Sequence, residues 1–176
     1  MGILETTLRG IEPQDQAWRQ KARNRLEQLT MPHWALGRLM DLGLDLAGMA
    51  RSLRPPVKQK TIVVMAGDHG VVAEGVSKFP PEVTPQMVRN FVSGGAGINA
   101  LARNVGAHVT VADLGVAAPL DDLVATGQIV SRRIAPGTAN ITKGPAMSRE
   151  QAVASLEAGI TIARELAPST HVFGTG

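Results

Sequence analysis

Three short apolar runs, each closed by glycine and a polar group, constrain this chain more than anything else in it. Thr61-Ile62-Val63-Val64-Met65-Ala66 ends in Gly67-Asp68-His69-Gly70, and Val109-Thr110-Val111-Ala112 ends in Asp113-Leu114-Gly115. His171-Val172-Phe173 ends in Gly174-Thr175-Gly176. A continuous apolar run bounded by glycine suits a strand covered on both faces, as in a parallel sheet. Helical patterns lie between the runs. Thr84–Ser93 offers an N-cap at Thr84 and Pro85 at the first helical position. Ala96–Asn104 follows Gly94-Gly95. Ser148–Leu166 opens on Ser148-Arg149-Glu150-Gln151, the spacing of a capping box. Strand–helix–strand alternation predicts a parallel α/β sheet. Ile129–Ile134 is expected to add a more exposed strand.

The segment before Thr61 has a different texture. Trp18, Ala22, Leu26 and Leu29 fall at helical spacing within Pro13–Leu29. A second helix is expected from Pro32 or His33 to about Leu53, with a wide apolar face that includes Leu36, Leu39, Met40, Leu44 and Met49. Arg54-Pro55-Pro56 should stop it, since proline lacks the amide proton and restrains the residue before it. The expected organisation is therefore residues 1–54 as helices and residues 60–176 as an α/β portion.

Composition removes several classes. The chain has no cysteine, which excludes a disulfide scaffold, a zinc–thiolate centre, an iron–sulfur cluster and a cysteine nucleophile. Two Trp, three Phe and no Tyr are too few for a base-stacking platform, so nucleic acid is not an expected partner. The net charge is +3, and it is uneven: residues 1–60 hold ten Lys/Arg against six Asp/Glu, and residues 61–176 hold eight against nine. The basic excess suits solvated helix surfaces. No stretch approaches the roughly 18 apolar residues of a membrane span, and the first residues lack a leader pattern. A cytoplasmic protein with no membrane partner is expected.

Ligands of open parallel sheets bind outside the carboxyl ends of the strands. Three glycine-rich tips on one edge would line one crevice there. In Gly67-Asp68-His69-Gly70, a carboxylate beside an imidazole can do acid–base work or orient a hydroxyl, or Asp68 can simply cap the following loop. No HxH or HExxH spacing supports a metal, and no metal or cofactor is expected. Gly94-Gly95-Ala96-Gly97 suits either a phosphate at a helix N-terminus or a tight helix–helix turn. About 14 residues, Gly70 to Val83, lack periodicity, as functional loops often do. Within them Phe79 either walls a site for a flat ring or packs into the core. Pro136–Asn140 and Thr142–Ser148 form a second long loop.

Taken together, these residues resemble a known family. Val64-Met65-Ala66-Gly67-Asp68-His69-Gly70-Val71, then Glu82-Val83-Thr84, Gln86-Met87-Val88, Asn90-Phe91, Gly94-Gly95-Ala96 and Ile98-Asn99 look like the nicotinate-nucleotide–dimethylbenzimidazole phosphoribosyltransferases. Gly137-Thr138, Asn140-Ile141, Gly144-Pro145-Ala146-Met147 and Phe173-Gly174-Thr175-Gly176 continue the match in order.

The resemblance implies a Rossmann-like parallel sheet in a three-layer α/β/α arrangement. It also implies that the N-terminal helices belong to a smaller helical domain, and that the protein is a homodimer. The implied reaction moves phosphoribose from nicotinate mononucleotide to 5,6-dimethylbenzimidazole, giving α-ribazole 5′-phosphate and nicotinate in cobalamin nucleotide-loop assembly. The implied substrate-binding residues are Asp68, His69, Gly70, Phe79, Pro80, Pro81, Glu82, Gln86, Met87, Asn90, Gly174 and Gly176. Family members run about twice this length, and their general-base glutamate lies in the C-terminal half. No residue here matches it, so no catalytic residue is expected in this chain, which reads as a truncated N-terminal half, inactive alone and prone to self-association. The alternative is a non-catalytic module that binds a benzimidazole or a nucleotide.

Overall fold

A computed structural model describes residues 2–176. It divides into two compact units: Thr6–Val57, and residues 2–5 with Lys58–Gly176. Helix α1 spans Ile3–Gly10.

The helical unit is built on α2 (Gln16–Glu27) and α3 (Arg38–Ala50). Helix α2 starts later than its apolar spacing suggests, because Asp15 takes the cap. Its Oδ1 accepts from Ala17 N (2.9 Å) and Trp18 N (3.1 Å), satisfying two amides that no helical carbonyl reaches. Helix α3 is delayed to Arg38 because Trp34 and Gly37 adopt positive φ (50° and 52°), which breaks any earlier turn. It ends at Ala50, before the prolines, where Arg51 turns left-handed at φ 48°. Ala22, Leu44 and Ala47 form the core between the two helices, with Leu26 and Trp34 against them. Gly48 lets the two helices approach closely: a Cβ there would lie 2.7 Å from Arg19 Cγ.

In the α/β unit, β1 (Lys60–Gly67), β2 (Ala107–Gly115), β3 (Val130–Ser131) and β4 (Val172–Thr175) form one sheet in the order β3-β2-β1-β4. Every pairing is parallel. Side chains alternate across β2. Val111 joins Val88 of α4 (Val83–Val92) and Val116, Leu120, Leu123 and Ile129 on one face. Ala112 joins Val63 and Ile162 of α7 (Arg149–Leu166) on the other. Helices on both faces make the three-layer arrangement, and they explain why the strands are apolar throughout rather than alternating. The strand expected over Ile129–Ile134 is only two residues long, and it is not exposed: Ile129 is buried in the core and Val130 and Ser131 are half-buried.

Helix α5 (Gly97–Val105) and the short α6 (Asp121–Ala125) complete the unit. Asn99 explains the glycine-rich turn before α5. Its Oδ1 accepts from Ala96 N (3.1 Å) and its Nδ2 donates to Phe91 O (3.0 Å). The side chain thus occupies the helix N-terminus and ties the end of α4 to α5, which favours the tight-turn reading. Helix α7 opens on the expected reciprocal cap. Gln151 N donates to Ser148 Oγ (3.2 Å) and Ser148 N donates to Gln151 Oε1 (2.9 Å). Thr84, however, caps nothing. Helix α4 begins two residues earlier, after Glu82, and Pro85 falls inside its first turn.

Candidate functional site

The carboxyl ends of β1 and β2 stand side by side, and the register slips between Ala66 and Gly67, pairing Gly67 with Gly115. The slip projects Asp68 past the sheet, where it meets three other segments. Asp68 N donates to Gly115 O (2.9 Å), and Thr138 N donates to Asp68 O (3.0 Å). The carboxylate accepts from Thr84 Oγ1 at Oδ1 (2.6 Å) and from Ala117 N at Oδ2 (2.7 Å). Gly137 makes the close approach possible. Its φ is +89°, and a Cβ there would lie 3.2 Å from Asp68 O. Asp68 therefore caps not its own loop but the loops that follow β2 and open α4.

A cleft of about 510 Å³ opens on the α4 side of this tip. Its floor is the end of β1 with the two residues beyond it (Val64 to His69), and one wall is α4, through Val83, Met87, Val88 and Phe91. The loop after β1 closes it with Val71, Val72 and Val76, and then with Phe79, Pro80 and Pro81. Gly176 completes the rim, where its N–H donates to Val63 O (3.0 Å) and its carbonyl accepts from Met65 N (3.1 Å). The lining is mainly apolar with a few polar groups, the usual make-up of a small-molecule site. Its volume falls within the about 300–1,000 Å³ of such sites. On the other side of Gly67–His69 lies a smaller cavity of about 150 Å³, lined by Leu114, Ile134, Met147 and Gln151 among others.

The structure gathers only part of the expected set at the cleft. Asp68, His69, Phe79, Pro80, Pro81, Met87 and Gly176 line it. Phe79 is 67% exposed, so it walls the cleft rather than packing into the core. Gly70, Glu82, Gln86, Asn90 and Gly174 stand outside the lining. Gly70 is pressed against the second long loop, where a Cβ would lie 2.7 Å from Thr138 O and Asn140 N. Asn90 lies against Gly95, which has no room for a Cβ beside Asn90 Oδ1. Gly174 gives way to Ile62 across the sheet. Glu82 and Gln86 point into solvent.

Sequence reasoning missed Thr84, whose hydroxyl serves Asp68, and the valines of the loop after β1. Val71 and Val72 lie in the short 3-10 helix Gly70–Glu74 and Val76 just after it, a stretch too brief for periodicity to reveal. Asn140 Nδ2 donates to Glu74 Oε1 (2.6 Å), pinning the second long loop onto this helix.

A bidentate ion pair lies outside the cleft. Arg89 donates to both oxygens of Asp122 (2.6 and 3.0 Å). That hydrogen bonding holds Asp122 below its ordinary value and Arg89 above its own. Among the described residues, no three His, Asp or Glu side chains cluster closely enough to hold a metal ion.

The model of a phosphoribosyltransferase family matches residues 11–176. The chain belongs to this phosphoribosyltransferase family. A nicotinate-nucleotide–dimethylbenzimidazole phosphoribosyltransferase from Syntrophotalea carbinolica is 63% identical over 176 residues, covering 100% of this chain and 50% of that protein. The protein of the same name from Desulfotalea psychrophila is 54% identical over the same length and fraction. The crystal structure of the enzyme so named from Thermus thermophilus superposes with a TM-score of 0.85 at 43% identity, covering 92% of this chain and 48% of that one. The chain thus spans about half the length of its phosphoribosyltransferase relatives. Family membership and the three-layer sheet agree with what the resemblance implies, and the parallel sheet agrees with the expectation drawn from the glycine-tipped runs.

Proposed function

We propose that this chain forms the benzimidazole-binding side of a transferase that moves phosphoribose from nicotinate mononucleotide to 5,6-dimethylbenzimidazole. The products are α-ribazole 5′-phosphate and nicotinate. The cleft at the end of β1 carries this reading. It is a slot between α4 and the Phe79-Pro80-Pro81 wall, with apolar sides for a flat two-ring heterocycle. A pyridinium is a good leaving group, so the transfer asks the protein mainly to hold both partners in line and to accept one proton. Within the residues of this chain, none is assigned as that base. Asp68 is engaged by Thr84 and Ala117, and Glu82 stands outside the cleft. We infer that the chain binds the ring and does not turn it over alone. As the family resemblance implies, we take it to be a homodimer, and we place it in the cytoplasm.

Calorimetric titration with 5,6-dimethylbenzimidazole tests the binding. Saturable heat is expected with wild type and weaker heat with Met87→Ala, whose side chain faces the slot. Absence of saturation at millimolar ligand would defeat the proposal. A parallel incubation with nicotinate mononucleotide and the base separates transferase half from free-standing catalyst. No α-ribazole 5′-phosphate is expected, and turnover by the chain alone would overturn the inactive-half reading.

A further inference from the structure

We propose that Asp68 is a positioning residue. It fixes the α4 wall of the cleft to the tip of β1, so the ring site exists only while its carboxylate is doubly engaged. The inference rests on the reading of the cleft as a ring site, but the geometry behind it is independent of any ligand. One carboxylate collects donors from two separate elements: Thr84 Oγ1 in the first turn of α4 (2.6 Å) and Ala117 N after β2 (2.7 Å). Its own backbone bonds Gly115 O and Thr138 N. Among the described residues, Thr84 is the only one of α4 that reaches this tip by a side-chain hydrogen bond. The first turn of α4 leads directly to Met87, Val88 and Phe91, which form the wall. A neighbouring carboxylate, Asp113, does a different task. It is buried, and its Oδ1 accepts only from Gly115 N and Val116 N in its own turn. Of these two carboxylates, it is Asp68 that spans from one loop to another.

The chemistry of the two donors separates positioning from proton transfer. An amide N–H can only donate, whereas a threonine hydroxyl can donate or accept. Asparagine at position 68 can therefore keep both links, accepting from Ala117 N through its oxygen and donating to Thr84 Oγ1 through its nitrogen. A carboxylate that acted as a base could not survive that exchange.

The test compares Asp68→Asn, Asp68→Ala, Thr84→Ser and Thr84→Val by titration with 5,6-dimethylbenzimidazole and by amide hydrogen exchange without ligand. Asp68→Asn and Thr84→Ser should bind within about threefold of wild type, while Asp68→Ala and Thr84→Val should weaken binding on the order of tenfold, as expected for loss of a charge-assisted hydrogen bond. Ser148→Ala, which weakens α7 away from the cleft, should lower the melting temperature without moving the Kd. In exchange, Asp68→Ala should lose protection at Ala117 and in the first turn of α4 while α7 keeps its own. Uniform loss, or none, would overturn the positioning role. A tenfold loss in Asp68→Asn equal to that of Asp68→Ala would overturn it too. If wild type binds no ring, the proposed function fails, and the exchange pattern still decides the role of Asp68.

Discussion

At the scale of single residues, glycine marks close approach rather than mere looseness, and the neighbour it meets sets the cost of filling the space. Gly70 faces backbone atoms of Thr138, Ala139 and Asn140 at 2.7 Å, and these cannot rotate away. Gly174 faces the Cδ1 of Ile62 at 2.6 Å, the far end of a flexible side chain. Urea unfolding of Gly70→Ala should therefore show a loss of about 1–3 kcal/mol, the range for overpacking. Gly174→Ala should cost less than about 1 kcal/mol once Ile62 changes rotamer. Equal losses would mean that the second long loop moves as freely as an isoleucine methyl. Thr84 carries a related lesson. Its position before Pro85 signals a cap, but α4 begins at Val83, which places Thr84 inside the first turn, and its hydroxyl donates to Asp68, distant in sequence.

At the scale of elements, the strands and α7 were legible because their signals are local. Val63 and Ala112 sit in unbroken apolar runs, and the Ser148/Gln151 reciprocal cap is written in four consecutive residues. Removing it with Ser148→Ala should destabilise the unit by about 1 kcal/mol, read as a drop in thermal midpoint with no change in the sheet's circular dichroism. The helix starts were less legible. Trp34 at φ 50° and Arg51 at φ 48° bound α3 with left-handed residues that composition does not advertise. Ile129 was expected in an exposed strand. It instead turns inward because Val116, Leu120 and Leu123 leave an apolar space beside the short β3.

At the scale of the whole molecule, β4 lies at the edge of the sheet, bonded to β1 on one side. Phe173 is 40% exposed there, and Met65 on β1 is 42% exposed. An uncovered strand edge with apolar neighbours tends to pair with another chain. Light scattering should thus report concentration-dependent association, and a mass that stays monomeric at millimolar chain would contradict it. The two compact units also differ in charge: Thr6–Val57 holds eight Lys/Arg against five Asp/Glu, and the other unit holds ten of each.

The sequence by itself determined the class of fold and the order of its main strands and helices, and its motifs carried the family resemblance. The fold follows from local physics: burial on both faces demands apolar runs, strand-to-helix turns demand glycine, and a helix start demands a cap. It also singled out Asp68 as important. Only the tertiary structure decided what Asp68 does, because its partners Thr84, Ala117 and Thr138 are separated from it by intervening helices and strands. The same holds for the division of the expected site residues. Phe79 and Met87 face one slot, while Gly70 and Asn90 serve the packing behind it, since direction in space depends on register and loop closure, which no run of neighbouring residues encodes.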